Sequence, residues 1–414
     1  MGKKILFTIS VAGFLASLAS CSEDNSNTIQ ETRHELQPLV KINLTAEQQT
    51  FVNRTNDFAF NFAASIGTTT AGNMNVSPVS TAYVLGMLLN GANGETQSQI
   101  SKVLGFEGVD VKTVNEYFQS LKQGASEVDK SVKIYVSNAI VTNKDFELKP
   151  AYEETVGTYY DAKAESFDFS SVNVADKVNS WVKEETDGKI TDIIGEVSPN
   201  ACMYALNAVY FKGIWTDEFD AKFTAQETFT GSDGTTSSVA MMQDERTMLY
   251  WENETYSMVQ LPYGNKGWSM QVLLPAAGKT LADVFTTLDG ASWKQALEEL
   301  RNYSVNLKLP RFEFEDVIQL TDPLQKLGIT NAFIPERADF SNLSNQGAYV
   351  TQFLQKTYIT VDEKGTEATT VSVAEMGDMA NVVPNATFHA NRPFVFLITE
   401  NTTGTIYFIG IKQK

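Results

Sequence analysis

Glu363-Lys364-Gly365-Thr366-Glu367-Ala368-Thr369-Thr370-Val371-Ser372-Val373-Ala374-Glu375-Met376 is the stretch on which the reading of this chain turns. Side chains along an extended segment alternate between two faces. From Thr366 one face reads Thr366, Ala368, Thr370, Ser372, Ala374, Met376, all small except the last. The other reads Glu367, Thr369, Val371, Val373, Glu375, Gly377. No proline occurs between Gly365 and Val383, and Thr and Val favour extended structure. Gly365 supplies conformational freedom where the segment starts. The segment thus has the makings of a strand that can enter packed space.

Phe51, Phe58, Phe62 and Ile66 recur at helical spacing after Thr45, with Glu47 and Gln48 in the first turn. Ser77-Pro78-Val79-Ser80 opens a second helix, Thr81 to Leu89, ended by Gly91 and Gly94. Asp176 to Glu185 is amphipathic, and Leu320 to Leu327 reads as a helix stopped by Gly328. Val132 to Val141, Tyr256 to Leu261, Ser269 to Leu274 and Ser304 to Leu309 read as strands. Met203 to Phe211 is a nearly continuous apolar run, suited to a strand buried on both faces. Phe394 to Thr399 and Ile406 to Ile411 form a final pair of strands. Helices dominate early and strands late, which predicts an α+β fold. With no long linker or repeat after Thr45, one domain over 43–414 is expected.

Several segments, in order from Asn75 to Phe394, resemble the serpin family. They are Asn75-Val76-Ser77-Pro78-Val79-Ser80, Gly91 to Thr96, Asn179-Ser180-Trp181-Val182, Thr186 to Ile190 and Asn207 to Trp215. Leu261-Pro262-Tyr263, Leu274-Pro275, Leu309-Pro310-Arg311-Phe312, Leu327-Gly328-Ile329 and Ala338-Asp339-Phe340-Ser341 continue the match. Val361 to Ala368 and Arg392-Pro393-Phe394 complete it. The resemblance implies a large, mostly antiparallel central sheet, two further sheets, eight or nine helices and an exposed reactive-centre loop at about 363–391.

The resemblance also implies a mechanism. A protease cuts the loop and is acylated by its upstream end, which then enters the central sheet as a new strand. The native fold is accordingly held kinetically. The hinge comprises Glu363, Gly365, Thr366, Glu367, Ala368, Thr369 and Thr370. Ser77, Pro78, Ser80, Asn207 and Gln355 belong to the "shutter" under the sheet, and Trp215 to the "breach" where the hinge enters. At position 355 the family usually has a His; the glutamine here keeps donors and acceptors but does not titrate. Family spacing from the hinge puts the reactive bond at Met379–Ala380. Counting back from Pro393 puts it nearer Val382 and Val383, with Met376 a further alternative. Gly365 to Asn391 contains no Lys or Arg, which disfavours trypsin-like targets and points to elastase-, chymotrypsin- or subtilisin-like enzymes. A non-inhibitory member acting as a binding or chaperone-like surface protein is the competing reading.

Lys3 and Lys4, the apolar Ile5 to Leu18 and Leu18-Ala19-Ser20-Cys21 make a signal peptide over 1–20 with a bacterial lipobox, Cys21 taking the lipid. Residues 21–42 are polar and read as a lipidated flexible tether. An exported outer-membrane lipoprotein is expected, attached by its anchor alone. The formal charge is −18, and no Lys/Arg cluster suited to phosphates occurs, which excludes nucleic acid as a partner. The two histidines, His34 and His389, offer little material for a hydrolase site, so no enzyme activity is expected. Cys202 lies in an apolar run and reads as a small buried hydrophobe. No metal or other cofactor is expected; the partner is a target protease, and the protein is a monomer.

Overall fold

A computed structural model of the chain describes residues 38–67, 72–366 and 384–414. Among the described residues are nine α-helices and fifteen strands. The first half contains α1 (Ala46–Gly67), β1 (Met74–Val76), α2 (Pro78–Gly91), α3 (Gly94–Val103), α4 (Val111–Val128), β2 (Lys133–Asn143), α5 (Pro150–Tyr160), β3 (Lys163–Phe167), α6 (Val174–Glu185) and β4 (Met203–Ile214). Then come β5 (Ala225–Thr230), β6 (Thr236–Glu252), β7 (Tyr256–Tyr263), β8 (Trp268–Pro275), α7 (Leu281–Phe285), α8 (Gly290–Glu299), β9 (Arg301–Pro310) and β10 (Phe312–Gln319). The chain closes with α9 (Thr321–Leu327), β11 (Val350–Val361), β12 (Gly365–Thr366), β13 (Asn385–His389), β14 (Phe394–Glu400) and β15 (Thr405–Lys412).

Local chemistry sets the helix ends. Thr45 N–H donates to Gln48 Oε1 (3.0 Å) and Gln48 N–H donates to Thr45 Oγ1 (3.2 Å), a reciprocal cap at the start of α1. Pro78 opens α2, where its missing N–H costs nothing, and all of α2 but Asn90 is buried. Gly328, at φ 117°, ends α9 in the left-handed region.

One sheet runs β10-β11-β4-β2-β3, with β12 pairing β4. Its contacts are antiparallel at β10–β11, β4–β2 and β12–β4 and parallel at β11–β4 and β2–β3. A second assembly runs β1-β15-β14-β8-β7-β6-β9-β13, with β5 on β6. The two further sheets expected from the sequence are joined here, because the long β6 pairs β5 and β9 and also β7. Strand β4 is buried on both faces. Met203, Ala205, Val209 and Phe211 enter the main core. Tyr204, Leu206, Ala208 and Tyr210 enter a second core with Val178 and Val182 of α6.

Candidate functional site

The hinge is seated at one end of the six-stranded sheet. Asp362 and Gly365 stand at the first and last positions of a tight turn, the places those residue types favour. Lys364 N–H donates to Asp362 Oδ1 (2.8 Å), and Asp362 N–H donates to the Gly365 carbonyl (2.9 Å). The parallel pairing of β11 with β4 stops at Tyr358 and Tyr210. Beyond it Gly365 and Thr366 pair antiparallel with Ile214 and Gly213, so the hinge already occupies the mouth of the seam. Gly365 has φ +144°, and a Cβ there would lie 2.2 Å from the Gly213 carbonyl oxygen. Only glycine fits.

The surrounding side chains hold this arrangement. Trp215 stacks on Tyr263 with ring centroids 4.3 Å apart, and its Nε1–H donates to the Asp362 carbonyl (2.9 Å). The Tyr263 hydroxyl meets Thr366 Oγ1 at 2.8 Å. Glu363 is buried and accepts from Arg311 Nε (2.8 Å), Arg311 Nη2 and the Thr224 hydroxyl. Burial alone would raise the Glu363 carboxyl, but Arg311 and Thr224 outweigh it and hold it below its ordinary value. Glu363, Gly365 and Thr366 therefore do not belong to an exposed loop, and Asn385–His389 pairs with β9 as strand β13. The exposed stretch expected over 363–391 is shortened at both ends, because backbone at a sheet edge gains hydrogen bonds by pairing. The expected residues Glu367, Ala368, Thr369, Thr370, Met376, Met379, Ala380, Val382 and Val383 lie outside the described residues, as does Cys21.

The second cluster sits midway along the same seam. Gln355 on β11 is directly opposite Asn207 on β4. Its Oε1 accepts from Ser77 N–H (2.9 Å). Its Nε2 lies 2.5 Å from Asn207 Oδ1, 2.8 Å from Thr81 Oγ1 and 2.9 Å from the Ser77 carbonyl, three acceptors for two protons. Asn207 Nδ2 donates to Ser80 Oγ and to Asn138 Oδ1 on β2 (2.5 Å). Ser77 Oγ donates to the Tyr407 carbonyl (2.7 Å). One amide pair thus ties β11, β4, β2 and the start of α2, where Pro78 sets the entry angle. Ser77, Pro78, Ser80, Asn207 and Gln355 are brought together; Trp215 and the hinge form a separate cluster roughly 25 Å along the strand, at about 3.3 Å per residue.

A family model described as serpin, serine protease inhibitor, matches residues 53–412. The chain belongs to the serpin family. It is 31% identical over 356 residues to the leukocyte elastase inhibitor of Bos taurus, covering 82% of this chain and 92% of that one. It is also 31% identical over 397 residues to an uncharacterised serpin-like protein of Thermococcus kodakarensis, covering 94% and 89%. The native-state structure of the thermophilic serpin tengpin superposes with a TM-score of 0.82 at 30% identity, over 93% of this chain and 98% of that one.

The structure of this serpin adds site residues that the sequence reading left out. Arg311 stands in the sequence only as part of the Leu309-Pro310-Arg311-Phe312 motif, yet it pairs with Glu363. Tyr263 likewise stands only within the Leu261-Pro262-Tyr263 motif, and Thr81, Asn138 and Thr224 carry no signal of a site, since each is an ordinary residue type whose role comes from a distant partner. Lys356, next to Gln355, faces the other way. It is buried and bridges Asp192 (2.9 Å) and Glu315 (2.8 Å).

Proposed function

We propose that this serpin is a suicide inhibitor of serine proteases with elastase-, chymotrypsin- or subtilisin-like specificity. The observation that carries the reading is the hinge lodged between two parallel strands. A parallel contact must be crossed by a strand antiparallel to both neighbours to become a fully antiparallel ladder, and β12 already runs that way beside β4. Extending its register pairs Ala368 with Phe211, Thr370 with Val209, Ser372 with Asn207, Ala374 with Ala205 and Met376 with Met203. Those β4 residues face the main core, and their partners are the small face of the segment. Val371 and Val373 would lie opposite Ala208 and Leu206, towards α6. Ser372 would arrive where Gln355 bonds Asn207, a small polar replacement for the amide.

The chemistry follows. The protease's serine oxygen attacks the Met379 carbonyl carbon, the bond to Ala380 breaks, and the Ala380 amine leaves with the proton carried by the protease's base. Met379 remains as an ester on the enzyme. Insertion through Met376 uses the full length of β4, so the ester would stand just past the far end, roughly 40 Å from the mouth of the seam at about 3.3 Å per residue. Val382, Val383 and Met376 remain alternative cleavage positions. The likeness to a leukocyte elastase inhibitor supports an aliphatic-preferring target. Incubation with pancreatic elastase is expected to give a complex stable to boiling in SDS. Turnover of the chain as a plain substrate, or no reaction with proteases of this specificity, contradicts the reading and favours the non-inhibitory alternative.

The same proposal places the protein outside the cytoplasm. Residues 1–20 are removed as a signal peptide, Cys21 carries the lipid, residues 21–42 tether a monomeric domain, and the outer membrane is its site. Metabolic palmitate labelling that is lost in Cys21→Ser supports this placement.

A further inference from the structure

A cavity of about 370 Å³ lies between the end of α1, α7 and the ends of β8 and β15, at the small end of the range that ligand pockets occupy. Pro275, Leu281, Phe285 and Ile411 make its walls apolar. Two cations, Lys279 and Arg392, line it, and no aspartate or glutamate does. Arg392 is half-buried, and burial pulls its guanidinium below the ordinary value. Its one hydrogen bond among the described residues runs from Nη2 to the Pro275 carbonyl (2.8 Å), which leaves the rest of a five-donor fork without a protein acceptor there. Lys279 is exposed and makes no ion pair among the described residues. The acid on α7, Asp283, accepts from the Thr280 N–H and hydroxyl, both at 2.8 Å, and feels the Lys279 charge beyond ion-pair distance.

A half-buried guanidinium in an apolar setting gains most from an anion that it can grip with two parallel N–H bonds. A greasy wall gains most from an apolar body. We propose that this cavity binds a small amphipathic monocarboxylate, its carboxylate on Arg392 and Lys279 and its apolar body against Leu281, Phe285 and Ile411. The site shares no residue with the hinge or the Gln355 cluster, so it stands apart from the inhibitory reading. Arg392 and Pro393 nevertheless join β13 to β14, which places the ligand beside the segment that follows the reactive-centre loop.

The test is calorimetric titration of the full chain with 4-phenylbutyrate and with 4-phenylbutan-1-ol, which differ only at the charged end. The acid is expected to bind saturably at one site, at least about tenfold tighter than the alcohol, and to weaken with salt. Lys279→Glu, at an exposed position, is expected to weaken the acid about fivefold or more and leave the alcohol unchanged. Arg392→Gln is expected to abolish acid binding. Because that variant also loses the bond to Pro275, a melting curve accompanies it, and Lys279→Glu carries the test if it fails to fold. Equal affinity for acid and alcohol, acid binding indifferent to Lys279→Glu, or no saturable binding overturns the proposal. Elastase inhibition is expected to survive in Lys279→Glu whichever result is obtained.

Discussion

At Gly365 a φ of +144° coincides with backbone packing so close that a Cβ would lie 2.2 Å from a carbonyl oxygen. Gly365→Ala is therefore expected to lower the stability of the native state by about 1–3 kcal/mol, read as a fall in the urea midpoint. At Gln355, replacement by leucine leaves Ser77 N–H and Asn207 Oδ1 buried without a partner. A cost of about 2–4 kcal/mol is expected, with no dependence on pH between 5.5 and 8 arising at this site, since an amide does not titrate. Glu363 behaves differently. Its carboxyl is held below its ordinary value of 4.5, so its contribution is complete above that pH and is lost as pH falls through the lower, folded-state value. Glu363→Gln is expected to cost about 1–3 kcal/mol at neutral pH and to flatten the loss of stability on acidification below about pH 4.5. An unchanged acid limb in a denaturation series would falsify the assignment of that limb to the Glu363–Arg311 pair. Cys202, by contrast, is buried, its thiol is pushed up to about 11 by burial, and it is expected to resist alkylation until the fold opens.

Among the elements, β4 is central, because it borders the seam along its whole length and is buried on both faces. The sequence made β4 legible through one continuous apolar run, and α1 through Thr45 and its phenylalanines. β10 was missed although Phe312-Glu313-Phe314-Glu315 alternates, because its second half trades apolar for half-buried positions. β6 was missed because Asp244-Glu245-Arg246 interrupts it. There Arg246 pairs with Asp244 within the strand and donates to the Asp217 carbonyl (3.0 Å), so the charges are satisfied by contacts invisible in one dimension. The pairing of Glu363 with Arg311 was hidden for the same reason. At this scale Thr366→Arg is expected to block entry beside Tyr263, where Thr366 is fully buried, and to convert inhibition into substrate turnover. The result is read as a rise in the moles of chain consumed per mole of protease silenced. Trp215 is one of five tryptophans and reports on the same event. Its emission is expected to shift on loop cleavage through its stack on Tyr263, and the shift should vanish in Trp215→Phe.

For the whole molecule, the two clusters divide the work. The breach holds the segment at the mouth of the seam, and the amide pair Gln355–Asn207 keeps the seam closed further down. On the proposed mechanism, the parallel β11–β4 contact would give way to two antiparallel ones, which would make the native state poised rather than at rest. Each ladder hydrogen bond gained is worth about 1 kcal/mol net, so a strand matching β4 in length outweighs the loss of one amide network. Mass spectrometry of the reaction with elastase tests whether the cleaved segment traps the enzyme. An SDS-stable one-to-one complex is expected, with a released C-terminal peptide that begins at Ala380. A peptide beginning at Gly377, Val383 or Pro384 would move the reactive bond and keep the mechanism, whereas released peptide with free, active elastase and no complex would overturn it.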